Sequence, residues 1–147
     1  MEKLLNSIWV KILRIVLPVS ALGLGAIPGS YEKIKQISED PNAAAHFIEV
    51  STNYYDFSGK GLMDWVPLIC MILCAAAAVA AAICMRKETE NSLTKLASLL
   101  SFALLADLAI VIFMPATVCG WCIAAVLIID LAITAYQEMK MEDARKK

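Results

Sequence analysis

The sequence predicts an all-α integral membrane protein: a bundle of four transmembrane helices, both termini cytoplasmic, with one structured extracytoplasmic loop. Three observations predict it. The 147 residues are 60% hydrophobic and 18% charged, against roughly 45–50% and about 25% in a soluble domain. The excess gathers in long uncharged blocks, which is how segments that cross lipid look. Lysine and arginine flank alternate ends of those blocks, the pattern that sets orientation.

The chain reads as one polytopic membrane domain. Its first span is 8–28, its outer loop 29–60, its second span 62–85 and its inner loop 86–95. The third span is 96–115, the fourth 118–136 and the cytoplasmic tail 137–147.

Residues 3–14 carry Leu4, Leu5, Ile8, Trp9, Ile12 and Leu13 at helical spacing, with Lys3, Ser7, Lys11 and Arg14 opposite. That suits an interfacial helix that turns inward. The uncharged run from Ile15 to Ile27 is too short to span alone, since about 20 residues are needed. Counting from Ile8, with Lys11 and Arg14 snorkelling, completes the span. The rival reading is a cleaved signal peptide, suggested by the small residues Gly23-Leu24-Gly25-Ala26. Pro18 and the long, Trp-containing region before the apolar core weigh against it.

In the outer loop, Tyr31, Ile34 and Ile37 fall on one face of a short helix. Asp40-Pro41 has the form of a helix start and could open a second helix through His46 to about Val50. The run Phe47 to Tyr55 is equally rich in β-branched and aromatic residues, so a strand is the alternative. Ser58-Gly59-Lys60-Gly61 reads as a turn. Tyr54, Tyr55 and Trp65 read as an aromatic belt at the membrane surface. His46 reads as a solvated side chain.

The second span contains Ala75 to Ala82, small on every face. In lipid such a surface allows close backbone approach, so this helix is expected at the centre of a bundle or against a partner. Lys and Arg in the N-terminal region, the second loop and the tail place both termini inside.

Two constellations could carry chemistry. Cys119-Gly120-Trp121-Cys122 sits at the mouth of the fourth span. Two cysteines three apart at a helix start are close enough to bond, and the helix N-terminus favours a thiolate at the first. The expected side is extracytoplasmic, where disulfides persist. Thiol–disulfide exchange is one reading; a structural disulfide or inert thiols is the other. Asp107 and Asp130 lie within the third and fourth spans. A charge at such depth costs about 2.5–3.5 kcal/mol on insertion scales, so each is expected to face the bundle interior. Cys119 and Asp130 are eleven residues apart, on one helix face and about 16 Å apart along the axis. Arg14 should reach a similar depth, and an Arg14–Asp130 pair is expected. The acids read either as a proton or cation path or as paired groups that hold helices together. The fourth span lacks the glycine or proline break of an ion site built on a broken helix.

Cys70, Cys74 and Cys84 share one side of the second span. Cys70 and Cys74, four apart, have the spacing of a soft-metal pair, but small packing residues are the expectation. No metal and no cofactor is expected. Net charge is −1, so no basic field recruits nucleic acid. No Walker loop, Ser/His/Asp arrangement, paired-carboxylate site or zinc pattern is present.

Cys119-Gly120-Trp121-Cys122 resembles, in position, the C-x-x-C at the outer start of the fourth helix in the vitamin K epoxide reductase type. That resemblance implies a four-helix bundle and thiol relay chemistry. The family's relay also uses a cysteine pair in the first outer loop, and residues 29–60 here hold none. Lys33 to Ala45, with Asp40-Pro41, is similar to the outer loop of DoxX/MauE-like four-helix proteins. Those carry Pro-x-x-Glu at the second helix, where this chain has Pro67 and then Cys70. Each resemblance covers a handful of residues, and membership of neither family follows.

The leading expectation is a small, non-enzymatic accessory or assembly protein of the cell membrane. It would work by contact, with the lipid bilayer and with a membrane-protein partner or a second copy through Ala75–Ala82. The alternatives are a membrane thiol–disulfide oxidoreductase using Cys119 and Cys122, and a small transporter subunit using Asp107 and Asp130.

Overall fold

The computed structural model describes residues 8–36, 47–56, 62–86, 89–113 and 117–146. Four helices are long and apolar enough to cross a membrane. They are α1 (Ile8–Gly25), α2 (Leu62–Arg86), α3 (Glu90–Phe113) and α4 (Val118–Lys146). Between α1 and α2 lie two strands, β1 (Tyr31–Gln36) and β2 (Phe47–Thr52), paired antiparallel with Tyr31 opposite Thr52 and Gln36 opposite Phe47.

The bundle is built of helices, as expected, and the hairpin corrects the helix expected at Tyr31 and Ile34. Glu32, Lys33, Lys35 and Gln36 hide the apolar alternation that announces a strand, and the pairing partner lies far along the chain. The strand alternative for the run beginning at Phe47 is the one the fold takes, through Thr52. Ile37, Asp40-Pro41, His46 and the Ser58–Gly61 turn lie outside the described residues.

Each helix packs on its two ring neighbours: α1 on α2 and α4, and α3 on α2 and α4. Side-chain bonds fix the directions. Thr94, near the start of α3, donates to Glu138, late in α4. Thr117, just before α4, donates to the Ser30 carbonyl, just after α1. The helices therefore alternate up and down, and one end of the bundle carries the hairpin. That end also holds the starts of α2 and α4. The opposite end holds Lys11, Arg86, Lys95 and Lys140.

The core runs through Ala21, Cys70, Cys74, Ala77, Ala81, Cys84, Leu96, Leu100, Ala103, Ile123 and Leu127. Only about a third of each span is buried, 28% in α1 and 33% in the others. Ile72, Val79, Ile83, Phe102, Leu105, Ile112, Ile128 and Ile129 all point outward. Water around such a surface would forfeit roughly 25 cal/mol for every Å² of apolar area exposed; acyl chains would not. From Trp65 to Arg86, α2 rises about 31 Å, the thickness of a bilayer's hydrocarbon layer. The alanine run divides: Ala77 and Ala81 are buried in the core, whereas Ala75, Val79 and Ala82 face outward.

Thr117 caps α4. Its hydroxyl accepts from the Gly120 amide at 3.2 Å, which satisfies one of the donors a helix start leaves open. α4 continues unbroken to Lys146, so the polar tail is helical.

Candidate functional site

The site grows from a short loop. After β2, Asn53 and Asp56 shape a tight turn: the Tyr55 amide donates to Asn53 Oδ1 at 3.0 Å, and Thr52 Oγ1 to Asp56 Oδ2 at 2.7 Å. The turn is pinned to the end of α1, where the Tyr54 amide donates to the Gly25 carbonyl at 3.0 Å. Tyr55 lies along α1, its hydroxyl donating to the Leu22 carbonyl at 2.9 Å.

Tyr54 points the other way, into the bundle. It is wholly buried, and its hydroxyl donates to Asp107 Oδ1 at 2.8 Å. Burial first, and then the charge of Asp107, pushes the Tyr54 phenol far above its ordinary value. It stays protonated and donates to a carboxylate, the stronger class of hydrogen bond. Tyr54 was expected in a surface belt; its burial corrects that expectation. A lone loop aromatic has no periodicity to reveal its direction.

Two glycines make room for Tyr54. A Cβ on Gly25 would lie 3.2 Å from Tyr54 Cβ and 2.5 Å from Met71 Sδ, and one on Gly120 would lie 3.3 Å from the Tyr54 hydroxyl. The phenol therefore sits where all four helices converge, between Gly25, Asp107, Gly120 and the Cys70 turn.

The thiols lie close by and are all free. Cys70 and Cys74 are fully buried beside one another, and Cys70 Sγ donates to the Ala103 carbonyl at 3.5 Å. Cys119 is half-buried beside Tyr54, and Cys122 is exposed with Trp121. The C-x-x-C pair thus opens outward at the hairpin end. Among the described residues, no three His, Cys, Asp or Glu side chains come together as a metal site.

Asp130 is also fully buried, with Arg14 from α1 within electrostatic reach. Thr134 and Gln137, on successive turns of α4, are buried on the same side. The two acids are separate. The Thr94–Glu138 bond sets Asp107, thirteen residues on, level with position 125 of α4. That puts Asp130 about 7–8 Å further from the hairpin end. Leu127 and Ala103, both fully buried, fill the layer between.

The fold and its polar interior define the class: a multi-pass membrane protein of four helices. No protein-family model, curated protein or solved structure matches this chain.

Proposed function

We propose that this protein is a membrane accessory or assembly factor that works by contact, presenting its hairpin rigidly from the extracytoplasmic end of a four-helix bundle. The observation that carries this reading is the Tyr54–Asp107 bond. It uses a buried carboxylate, which is costly in lipid, to fasten a loop outside the spans to the centre of the bundle. An acid held this way positions a surface. It is a poor proton carrier, and the Leu127–Ala103 layer between the two acids weighs further against a continuous path.

The proposed orientation has both termini in the cytoplasm; the gathering of Lys11, Arg86, Lys95 and Lys140 at one end supports it under the positive-inside rule. The outward half of the alanine run, Ala75, Val79 and Ala82, offers a partner helix close approach. Native mass measurement in nanodiscs, with lysine crosslinking through Lys33 and Lys35 in intact membranes, tests the reading. A second copy or a reproducible membrane partner is expected. A monomer without crosslinks would overturn it.

A second reading is favoured by Cys119 and Cys122. Both are free thiols in the first turns of a capped helix, and Cys122 is exposed. One thiolate would attack a partner's disulfide and the other would resolve the mixed disulfide, so that two electrons pass to the partner.

A further inference from the structure

The surroundings of Asp130 differ from those of Asp107, the other fully buried acid, which has one oxygen bonded to Tyr54. Neither carboxylate oxygen of Asp130 has a hydrogen-bond partner among the described residues, and neither does Thr134 Oγ1, one turn on. Both residues are fully buried. Serine hydroxyls in α3 return to a carbonyl one turn back, and the Thr94 hydroxyl bonds to Glu138 of α4. Ser98 returns its hydroxyl to the Thr94 carbonyl at 2.8 Å, and Ser101 to the Ala97 carbonyl at 2.8 Å. Thr134 makes no such return.

Leaving such groups bare costs about 1–3 kcal/mol each, and more for a charge. Three such atoms on adjacent turns would cost about 3–9 kcal/mol, a large share of a stability of about 5–15 kcal/mol. The charges around them select what satisfies them. A cation would meet the Arg14 guanidinium, and an anion would meet the Asp130 carboxylate. A small neutral molecule that both donates and accepts suits both, and polar groups just beyond hydrogen-bond reach of each other are commonly bridged this way.

We infer that Asp130 and Thr134, with Arg14 opposite and Gln137 at the rim, form an internal water-binding site between α1 and α4. Water donates to the Asp130 oxygens and accepts from the Thr134 hydroxyl. Gln137, 7% exposed, is the outermost member. On the hairpin side, Leu127 and Ile123 close the site, both fully buried. This site goes beyond the contact role, and either can fail without the other.

X-ray hydroxyl-radical footprinting of the full chain in nanodiscs tests it, because bound water makes radicals where it sits. Arg14 is 1% exposed and Leu100 and Ile123 are 0%, so without local water all three should stay unmodified. The expected result is clear oxidation of Arg14, with the lipid-facing Ile128 and the buried Leu100 and Ile123 untouched. The isosteric Thr134→Val variant, checked for wild-type melting, should lose most of the Arg14 modification. Arg14 as silent as Leu100 would overturn the site, as would equal modification of all three. Arg14 labelling unchanged in Thr134→Val would overturn Thr134 as a water ligand and with it the site.

Discussion

The Tyr54 hydroxyl donates to Asp107 Oδ1 at 2.8 Å across 53 residues of sequence. It joins a loop beyond the hairpin to the interior of α3. Removing only the donor, Tyr54→Phe, leaves a buried carboxylate oxygen without its partner. The expected loss is about 1–3 kcal/mol. Thermal unfolding in detergent measures it. In a double-mutant cycle with Asp107→Leu, the pair should cost less than the sum of the singles, because the double variant leaves no orphaned charge.

The same bond predicts an alkaline limit. Burial and Asp107 raise the Tyr54 phenol above its ordinary value of 10.0. The folded state therefore holds this proton more tightly than the unfolded state. The resulting stability is fully present below the ordinary value and is lost as pH rises above it, by up to about 1.4 kcal/mol per pH unit. Melting temperatures from neutral to strongly alkaline pH should fall more steeply for the wild type than for Tyr54→Phe.

Gly25 tests the packing that admits Tyr54. A methyl group there would meet Met71 Sδ at 2.5 Å and Tyr54 Cβ at 3.2 Å. Met71 can move, but Tyr54 is held by Asp107. Gly25→Ala should destabilise by about 1–3 kcal/mol through overpacking, and Gly25→Val by more. Gly23→Ala, with nothing within 4 Å of the added carbon, is the control and should melt like the wild type.

Thr117 joins two elements with one hydroxyl, accepting from Gly120 and donating to Ser30. Thr117→Val keeps the shape and loses both bonds. Loss of the cap alone should cost about 1 kcal/mol. Hydrogen exchange should quicken at the Gly120 amide and at the Gly29 amide, which donates to the Thr52 carbonyl at 2.9 Å. Faster exchange at Gly120 alone would mean that the tie to the hairpin carries no stability.

How much of this was legible in the sequence depends on the range of each interaction. The four spans were legible because hydropathy is a local sum that the bilayer reads segment by segment. The inward facing of Asp107 and Asp130 followed from the cost of charge in lipid, whereas Arg14, expected to snorkel to the interface, lies buried within electrostatic reach of Asp130. The hairpin was hidden because Lys33, Lys35 and Glu49 blur its alternation and because strand pairing is long-range. Tyr54 was hidden for a similar reason: its partner is on α3, and nothing in Asn53-Tyr54-Tyr55-Asp56 says which tyrosine turns inward. The spacing of Cys119 and Cys122 could not tell which thiol opens outward until α4 had neighbours.

The most direct test of the account is sidedness. Intact cells treated with an impermeant maleimide, and inverted vesicles treated with protease, should together report both ends of the bundle. Cys122 should label from outside, Cys119 more slowly, and buried Cys70, Cys74 and Cys84 only after unfolding, while the α4 tail is cleaved only in inverted vesicles. Cleavage of the tail from outside, with Cys122 reached only from the cytoplasmic face, would contradict the account.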